Sequence, residues 1–262
     1  MIRALYTAAS GMTAQQMNLD TIANNLANSS TTGFRQQRLQ FQDMIYQNLV
    51  TPGAAQSQST VSAGLQIGLG TKSAATEVIM TQGALNQTSN PLDVAIEGPG
   101  FFQVQRPDGT VAYTRAGQFH LNNQGTIVTT DGDPILPNIT IPSNALTVTV
   151  GSDGTVSVTL PTQSQAQQVG AIQLATFANP GGLNSVGQNL FQSTTASGDA
   201  ILGTPGGSDG VGSIQQGNLE ESNVNVVQEF VNMILAQRSY EANSRVIRAA
   251  DQMFQTINGL TQ

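Results

Sequence analysis

Apolar residues recur at alternating three- and four-residue spacing at both ends of this chain. Near the N-terminus they are Ile2, Leu5, Ala9, Met12, Leu19, Ala23 and Leu26, with Gln16 at the one polar position. Near the C-terminus they are Leu235, Ala242, Val246, Ala249, Met253 and Leu260, interrupted by Ser239 and Thr256. This is the spacing of a coiled-coil seam. Taken singly, each run also suits an ordinary amphipathic helix on a globular core. Two features favour partnered helices. They stand at opposite ends of the chain, and the N-terminal seam is narrow and rich in Ala, Met and Gln. A helix with so thin an apolar face is marginal in water. It needs a partner, either the other helix or further copies of the chain.

The residues between these ends pattern as strand and turn. PDGTVAYT (107–114), NQGTIVTT (123–130) and SDGTVSVT (152–159) repeat one design: a polar residue, Gly, Thr, then alternating β-formers. The glycine supplies a turn, and the alternation makes a half-buried strand. DVAIEGPGFFQV (93–104), ALTVTV (145–150) and GAIQLATF (170–177) add more strand. A compact all-β domain is expected over 72–210. Residues 46–70 are low in charge and rich in Gly, Gln and Ser, and 202–213 mirror them on the return. Both are expected as linkers, with Pro52 and Gly53 turning the first back on itself as two strands.

The fold class expected is therefore α+β, with paired terminal helices, a central all-β domain and extended linkers. The division is a discontinuous helical domain (1–30 plus 225–262), a connecting domain (31–71 plus 211–224) and the β domain (72–210).

Charged residues make up only 10% of the chain, against ~25% in an average protein. Amides and hydroxyls replace them, so surface contacts should depend little on salt. Net charge is −7, and Lys72 is the single lysine. No basic stripe marks a nucleic-acid footprint. The absence of cysteine excludes thiol catalysis and zinc-thiolate sites. The first residues have neither the apolar run nor the cleavage site of a secretory signal. No stretch is long and apolar enough for a membrane span, so no direct membrane insertion is expected.

Catalytic candidates are few. His120 is the sole histidine, and it reads as a polar strand residue with no second imidazole for a metal and no nucleophile to serve. Asp131-Gly132-Asp133-Pro134 lacks the spaced acids of a calcium loop and reads as a turn. Gly98-Pro99-Gly100 has no following Lys-Ser/Thr and so is no phosphate loop. Glu220 and Glu221 are adjacent and diverge. They read as helix entry, with Ser222 or Asn223 near the cap. No enzyme activity, cofactor or metal is expected. Arg238, Glu241, Arg245, Arg248 and Asp251 fall at helical spacing, with Glu241 and Arg245 forming a favourable i,i+4 pair. Arginine forks also suit amide and carboxylate contacts across a subunit boundary.

The string ANNLANSSTTGFR (23–35) resembles the signature of bacterial flagellar rod and hook proteins. So do LEESNVNVVQEFVNMILAQRSYEANSRVIRAADQM (219–253), DVAIEGPGFFQV and AYTRAGQF (112–119). The length and the segment 46–70 bring it nearer to distal rod subunits than to the longer hook proteins. Proximal rod and hook subunits are the alternatives within the family.

The resemblance implies an axial structural subunit. Its terminal helices would form an inner coiled-coil layer around an export channel, with the β domain outward. Copies would stack as a helical homopolymer, a drive shaft meeting proximal rod proteins, the hook protein, and the periplasmic and outer-membrane ring proteins. Export through the flagellum's own apparatus would need no cleavable signal peptide. Residues expected at subunit contacts are Leu5, Met12, Leu19, Asn24, Asn25, Leu26, Asn28, Gly33, Phe34, Arg238, Tyr240, Glu241, Asn243, Arg245, Val246 and Met253. Asparagines suit this role because an amide both donates and accepts and can serve several neighbours in a lattice whose contacts never close. Asn28 with Ser29 and Ser30 ends the first helix, Gly33 permits the reversal, and Phe34 anchors the exit.

Two other classes are weaker. A glycan-binding adhesin on a helical stalk would need an aromatic cluster, yet Trp is absent and aromatics are 5%. An enzyme acting on cell-wall glycan would need a carboxylate pair that the chain does not offer.

Overall fold

A computed structural model describes residues 2–50, 55–56, 59–60, 64–161, 165–207 and 210–260. The chain divides into two compact units, one of Met1–Ala27, Gln37–Glu77 and Asn225–Gln262, the other of Asn28–Gln36 and Val78–Val224.

The first unit holds the two helices, α1 (Ile2–Ala27) and α2 (Val226–Leu260), which pack on each other. On α1, Ala8, Ala14, Ile22 and Asn25 are buried, and Leu5, Met12, Leu19 and Leu26 are half-buried. Half of the expected seam thus turns inward, but Ala9 and Ala23 are exposed and Ala8 and Ile22 replace them. On α2 every expected seam residue but Leu260, whose side chain lies outside those described, departs. Glu229, Ala236 and Ala250 are buried, with Met233, Asn243, Ile247 and Phe254 half-buried. The expected seam residues Leu235, Ala242, Val246, Ala249 and Met253 are all exposed. The inward face lies one residue further along. Small residues explain the choice, because alanines 8, 14, 236 and 250 and Gly11 let the backbones approach. A Cβ at Gly11 would stand 2.7 Å from the Asn243 amide nitrogen.

Within 46–70 the described residues form antiparallel strand pairs, in keeping with the two strands expected there. Tyr46–Val50 pairs with Leu65–Gly68, and Ala55–Gln56 pairs with Ser59–Thr60. The proposed turn residues Pro52 and Gly53 lie outside the described residues. A second ribbon joins Gln37–Asp43 to Thr71–Val78. Arg38 meets Glu77 there at 2.8 Å, an exposed pair of small worth.

The second unit is built on an antiparallel sheet ordered Asn184–Gly187, Leu190–Gln192, Val111–Thr114, Phe101–Gln105, Leu174–Thr176 and Ile201–Gly203. Ile135–Leu136 pairs additionally with Phe101–Gln105. A three-stranded sheet (Thr147–Val150, Thr155–Thr159, Gln167–Ala171) accompanies it. The repeated turn strings fold as their residues require. Gly109, Gly125 and Gly154 all sit at positive φ, between 77° and 83°, a region open to glycine at no steric cost. Beside two of them the aspartate side chain closes the turn. Thr110 and Thr155 donate through both backbone N–H and hydroxyl to Asp108 and Asp153 at 2.6–3.1 Å.

Phe102, Phe119, Ile96, Ile139, Ile172 and Leu174 anchor the main core, with Phe102 and Phe119 edge-to-face at 5.1 Å. Phe101, Tyr113, Phe177 and Phe191 form a second cluster.

The glycine-rich return (202–213) is not a linker. Ile201–Gly203 closes one edge of the sheet, Val211 is buried, and Gly212 donates to the Pro99 carbonyl at 2.7 Å. Residues 213–220, expected in an extended connection, add two more strand pairs. Ser213–Gln216 pairs with Val94–Glu97, and Asn218–Glu220 pairs with Leu85–Gln87.

Candidate functional site

The outer side of α2 carries an apolar stripe that the described residues leave exposed. Val227, Val231, Ile234, Leu235, Val246 and Met253 recur along it at helical spacing, each 46–73% exposed. A helix apolar on one stripe buries that stripe. Here one apolar stripe is used by α1 and a second remains. Arg238, Glu241 and Arg245 are exposed beside it; Tyr240 is exposed too, but helical spacing puts it on the side of Ala236, Asn243 and Ile247. The ion pair that forms is Arg238 with Glu241 at 3.2 Å, three residues apart, in place of the expected Glu241–Arg245 pair. α1 adds Tyr6 and Met17 to the exposed apolar surface.

Other expected contact residues are occupied inside the chain. Asn25 is 1% exposed, and its amide forms two bonds to the backbone of Gln37. The Gln37 N–H donates to Oδ1 at 2.9 Å, and Nδ2 donates to the Gln37 carbonyl at 2.8 Å. It clips the helix end to the following strand within the single chain. Asn24 is exposed and Asn28 half-buried, with the Thr31 hydroxyl donating to the Asn28 side chain at 3.2 Å. The turn after α1 forms where expected: Thr31 N–H donates to the Asn28 carbonyl at 3.1 Å, Gly33 takes φ +70°, and Phe34 is half-buried. A Cβ at Gly33 would meet the Ala116 nitrogen at 2.6 Å, so a larger residue is excluded by both conformation and space.

The chain's entry to the β-rich unit and its exit are locked by an ion cluster. Glu220 is fully buried and receives Arg35 Nη2 on Oε1 at 2.7 Å and Arg115 Nε on Oε2 at 2.9 Å. The Gly83 N–H also donates to Oε1, at 2.9 Å. Arg115 Nη1 donates to the carbonyls of Gly98 and Gly100 at 2.8 and 2.6 Å. Burial pulls the Arg115 pKa below its ordinary value, Glu220 opposes that, and Arg35 adds to it. The guanidinium stays charged regardless. Asn223 completes the closure. Its Oδ1 accepts from Gln36 N–H at 2.7 Å, and its Nδ2 donates to the carbonyls of Ile79 and Thr81 at 2.9 and 3.0 Å. Glu220 and Asn223 thus act ahead of the helix. The α2 cap is Asn225, whose side chain accepts from Gln228 N–H at 3.2 Å.

His120 is exposed in the strand His120–Leu121, opposite Val128. Thr129 and Asp133 close the 131–134 segment as a turn. Among the described residues, no helix is long and apolar enough to cross a membrane.

Three family models match along the chain: "Flagella basal body rod protein" over 5–35, "Flagellar hook protein FlgE/F/G D1 domain" over 95–158, and "Flagellar basal body rod FlgEFG protein C-terminal" over 215–260. The flagellar basal-body rod protein FlgG of Buchnera aphidicola (Schizaphis graminum) is 48% identical over 99% of this chain and 100% of the relative. FlgG of Borreliella burgdorferi is 47% identical, over 99% of each. The chain belongs to the FlgG family of flagellar basal-body rod proteins. FlgG of Bacillus subtilis is similar too, at 40% identity over 99% of each chain. The FlgG family is structural, not enzymatic. The family models cover most of both helices and part of the β-rich unit, so the α2 surface and Arg35, Arg115 and Glu220 all lie in matched segments.

Proposed function

We propose that this chain is the structural subunit of the flagellar distal rod, polymerising into a rigid hollow shaft that transmits torque to the hook and encloses the export channel. Membership of the rod family supports self-assembly in the basal body and contact with its other components. The observation that carries the reading is the second apolar stripe of α2, which the chain's own fold leaves exposed. Burying a large apolar side chain stabilises by roughly 1.5–3 kcal/mol. Six such residues per copy supply enough to offset the cost of association when copies cover each other's stripes.

In this reading the terminal helices form an inner coiled-coil layer. Leu5, Met12, Leu19, Leu26 and Asn243 hold α1 to α2. Asn24, Arg238, Tyr240, Glu241, Arg245, Val246 and Met253 face neighbouring copies. The 46–70 ribbon, with Tyr46, Leu49 and Leu65 exposed, wedges between stacked copies and stiffens the shaft. Its low charge allows this without desolvating ions. The shaft meets proximal rod proteins, the hook protein, and the periplasmic and outer-membrane rings. The chain reaches it by flagellar export without a cleavable signal peptide.

Electron microscopy of the purified chain over rising concentration tests the assignment. Straight hollow polymers are expected. Dispersed monomers at every concentration would overturn it, and uniformly curved polymers would move it to a hook subunit.

A further inference from the structure

A cavity of about 220 Å³ opens beside the ion cluster, with Arg35, Arg115, Gln82, Met80, Phe101 and Pro180 among its walls. All of them belong to the β-rich unit. Two guanidiniums meet a single carboxylate here, so the cluster keeps one positive charge in excess. Arg115 has Glu220 and two carbonyls as partners. Arg35 is 3% exposed, and among the described residues it is bound only through Nη2, while its Nε and Nη1 are buried with no hydrogen-bond partner there.

A guanidinium cannot relieve such a deficit by losing a proton. A buried charged donor left unpaired is costly, more so than a neutral one. An anion in the adjoining cavity, which Arg35 and Arg115 both line, answers the excess charge. The remaining walls specify which anion. Met80, Phe101 and Pro180 present carbon, which suits an aliphatic stem and not a fully hydrated phosphate.

We infer that this cavity is a binding site for one carboxylate carried on a short apolar stem. Two sources share that chemistry, a free small carboxylate and an Asp or Glu side chain of another copy. The chain carries 16 acids against 9 Lys and Arg, so the second source is abundant in any assembly of copies. The site itself does not depend on the rod assignment, because it is complete within one chain.

The test uses dilute, unpolymerised full-length chain with labelled arginine. Sodium propionate is titrated against sodium chloride at equal ionic strength while the Arg35 Nε–H resonance is followed by NMR. A saturable shift is expected, with Kd of roughly 1–10 mM, and it should weaken at least ~10-fold in Met80→Trp, which fills the cavity and leaves all three charges in place. A size series needs no variant: propionate should bind more tightly than acetate, and pivalate should be excluded. A response no different from chloride overturns the site. So does equal weak binding of all three acids, or a shift undiminished in a folded Met80→Trp chain. With binding established, propionate that raises the concentration needed for polymerisation identifies the occupant as an acid of another copy. Polymerisation unchanged by propionate identifies a free carboxylate.

Discussion

Glu220→Ala is expected to cost the β-rich unit about 3–5 kcal/mol, the range for removing one partner of a buried ion pair. The whole stability of a domain is about 5–15 kcal/mol, so the unit should be largely unfolded at moderate urea. The reason is electrostatic. Among the described residues, Glu220 is the only carboxylate bound to two guanidiniums that are 3% and 4% exposed, and alanine would leave both uncompensated. It would also remove the acceptor of the Gly83 N–H. Arg38→Ala, which breaks an exposed pair with Glu77, should cost no more than ~1 kcal/mol. Urea denaturation of the two variants makes the comparison. A Glu220→Ala loss as small as that of Arg38→Ala would refute the buried lock. The triple replacement Arg35→Met, Glu220→Leu and Arg115→Met should recover much of the loss, since an apolar set of similar volume removes the desolvation penalty altogether.

The second large effect falls on assembly. Leu235→Glu with Val246→Glu should abolish polymerisation and leave the monomer folded. Both positions are exposed in the single chain, 61% and 46%, so each charge is hydrated there. In the polymer each substitution loses roughly 1.5–3 kcal/mol of apolar burial and adds a carboxylate that must be desolvated. Every 1.4 kcal/mol is tenfold in affinity, so the critical concentration should rise by at least ~1,000-fold. Sedimentation and circular dichroism separate the two effects. Ala236→Glu is the contrasting variant: Ala236 is 3% exposed, so its charge should disrupt the monomer's helix packing instead. Polymers of the Leu235/Val246 variant at wild-type concentration would show that this stripe is not the lattice contact.

How far the sequence spoke depended on the range of the interaction. The Gly-Thr turn strings were legible because turn and strand are set within a few residues, as at Asp108–Thr110 and Asp153–Thr155. The helices were legible from spacing, but the rotation of α2 was not. Leu235 and Ala236, Val246 and Ile247, and Ala249 and Ala250 are adjacent apolar pairs, so two seams one residue apart fit equally. The choice was made by small residues on α1, a partner more than 200 positions away in the sequence. The 202–213 stretch was misread because glycine content suggests a loop, whereas Val211 and Gly212 are fixed by non-local contacts.

The ion cluster joins residues 105 and 185 apart, which no local pattern reveals. Its one sequence signal was scarcity: in a chain only 10% charged, Arg115 stands alone in the otherwise uncharged string AYTRAGQF (112–119). The intrachain role of Asn25 was not legible. An asparagine beside a helix seam suggested an adaptable surface amide, and burial with two backbone bonds made it a rigid clip.

The central claim is that the exposed stripe of α2 becomes covered by other copies. The chain has no cysteine, so Leu235→Cys and Met253→Cys each introduce a lone thiol whose labelling rate reports its own accessibility. Both thiols should react rapidly in dilute monomer, where the native side chains are 61% and 50% exposed. In polymers of the same variants the rate should fall at least ~10-fold, the mark of a site that reacts only through local opening. Equal rates in monomer and polymer at both positions would contradict the account, because the stripe would then remain open to solvent in the assembled shaft.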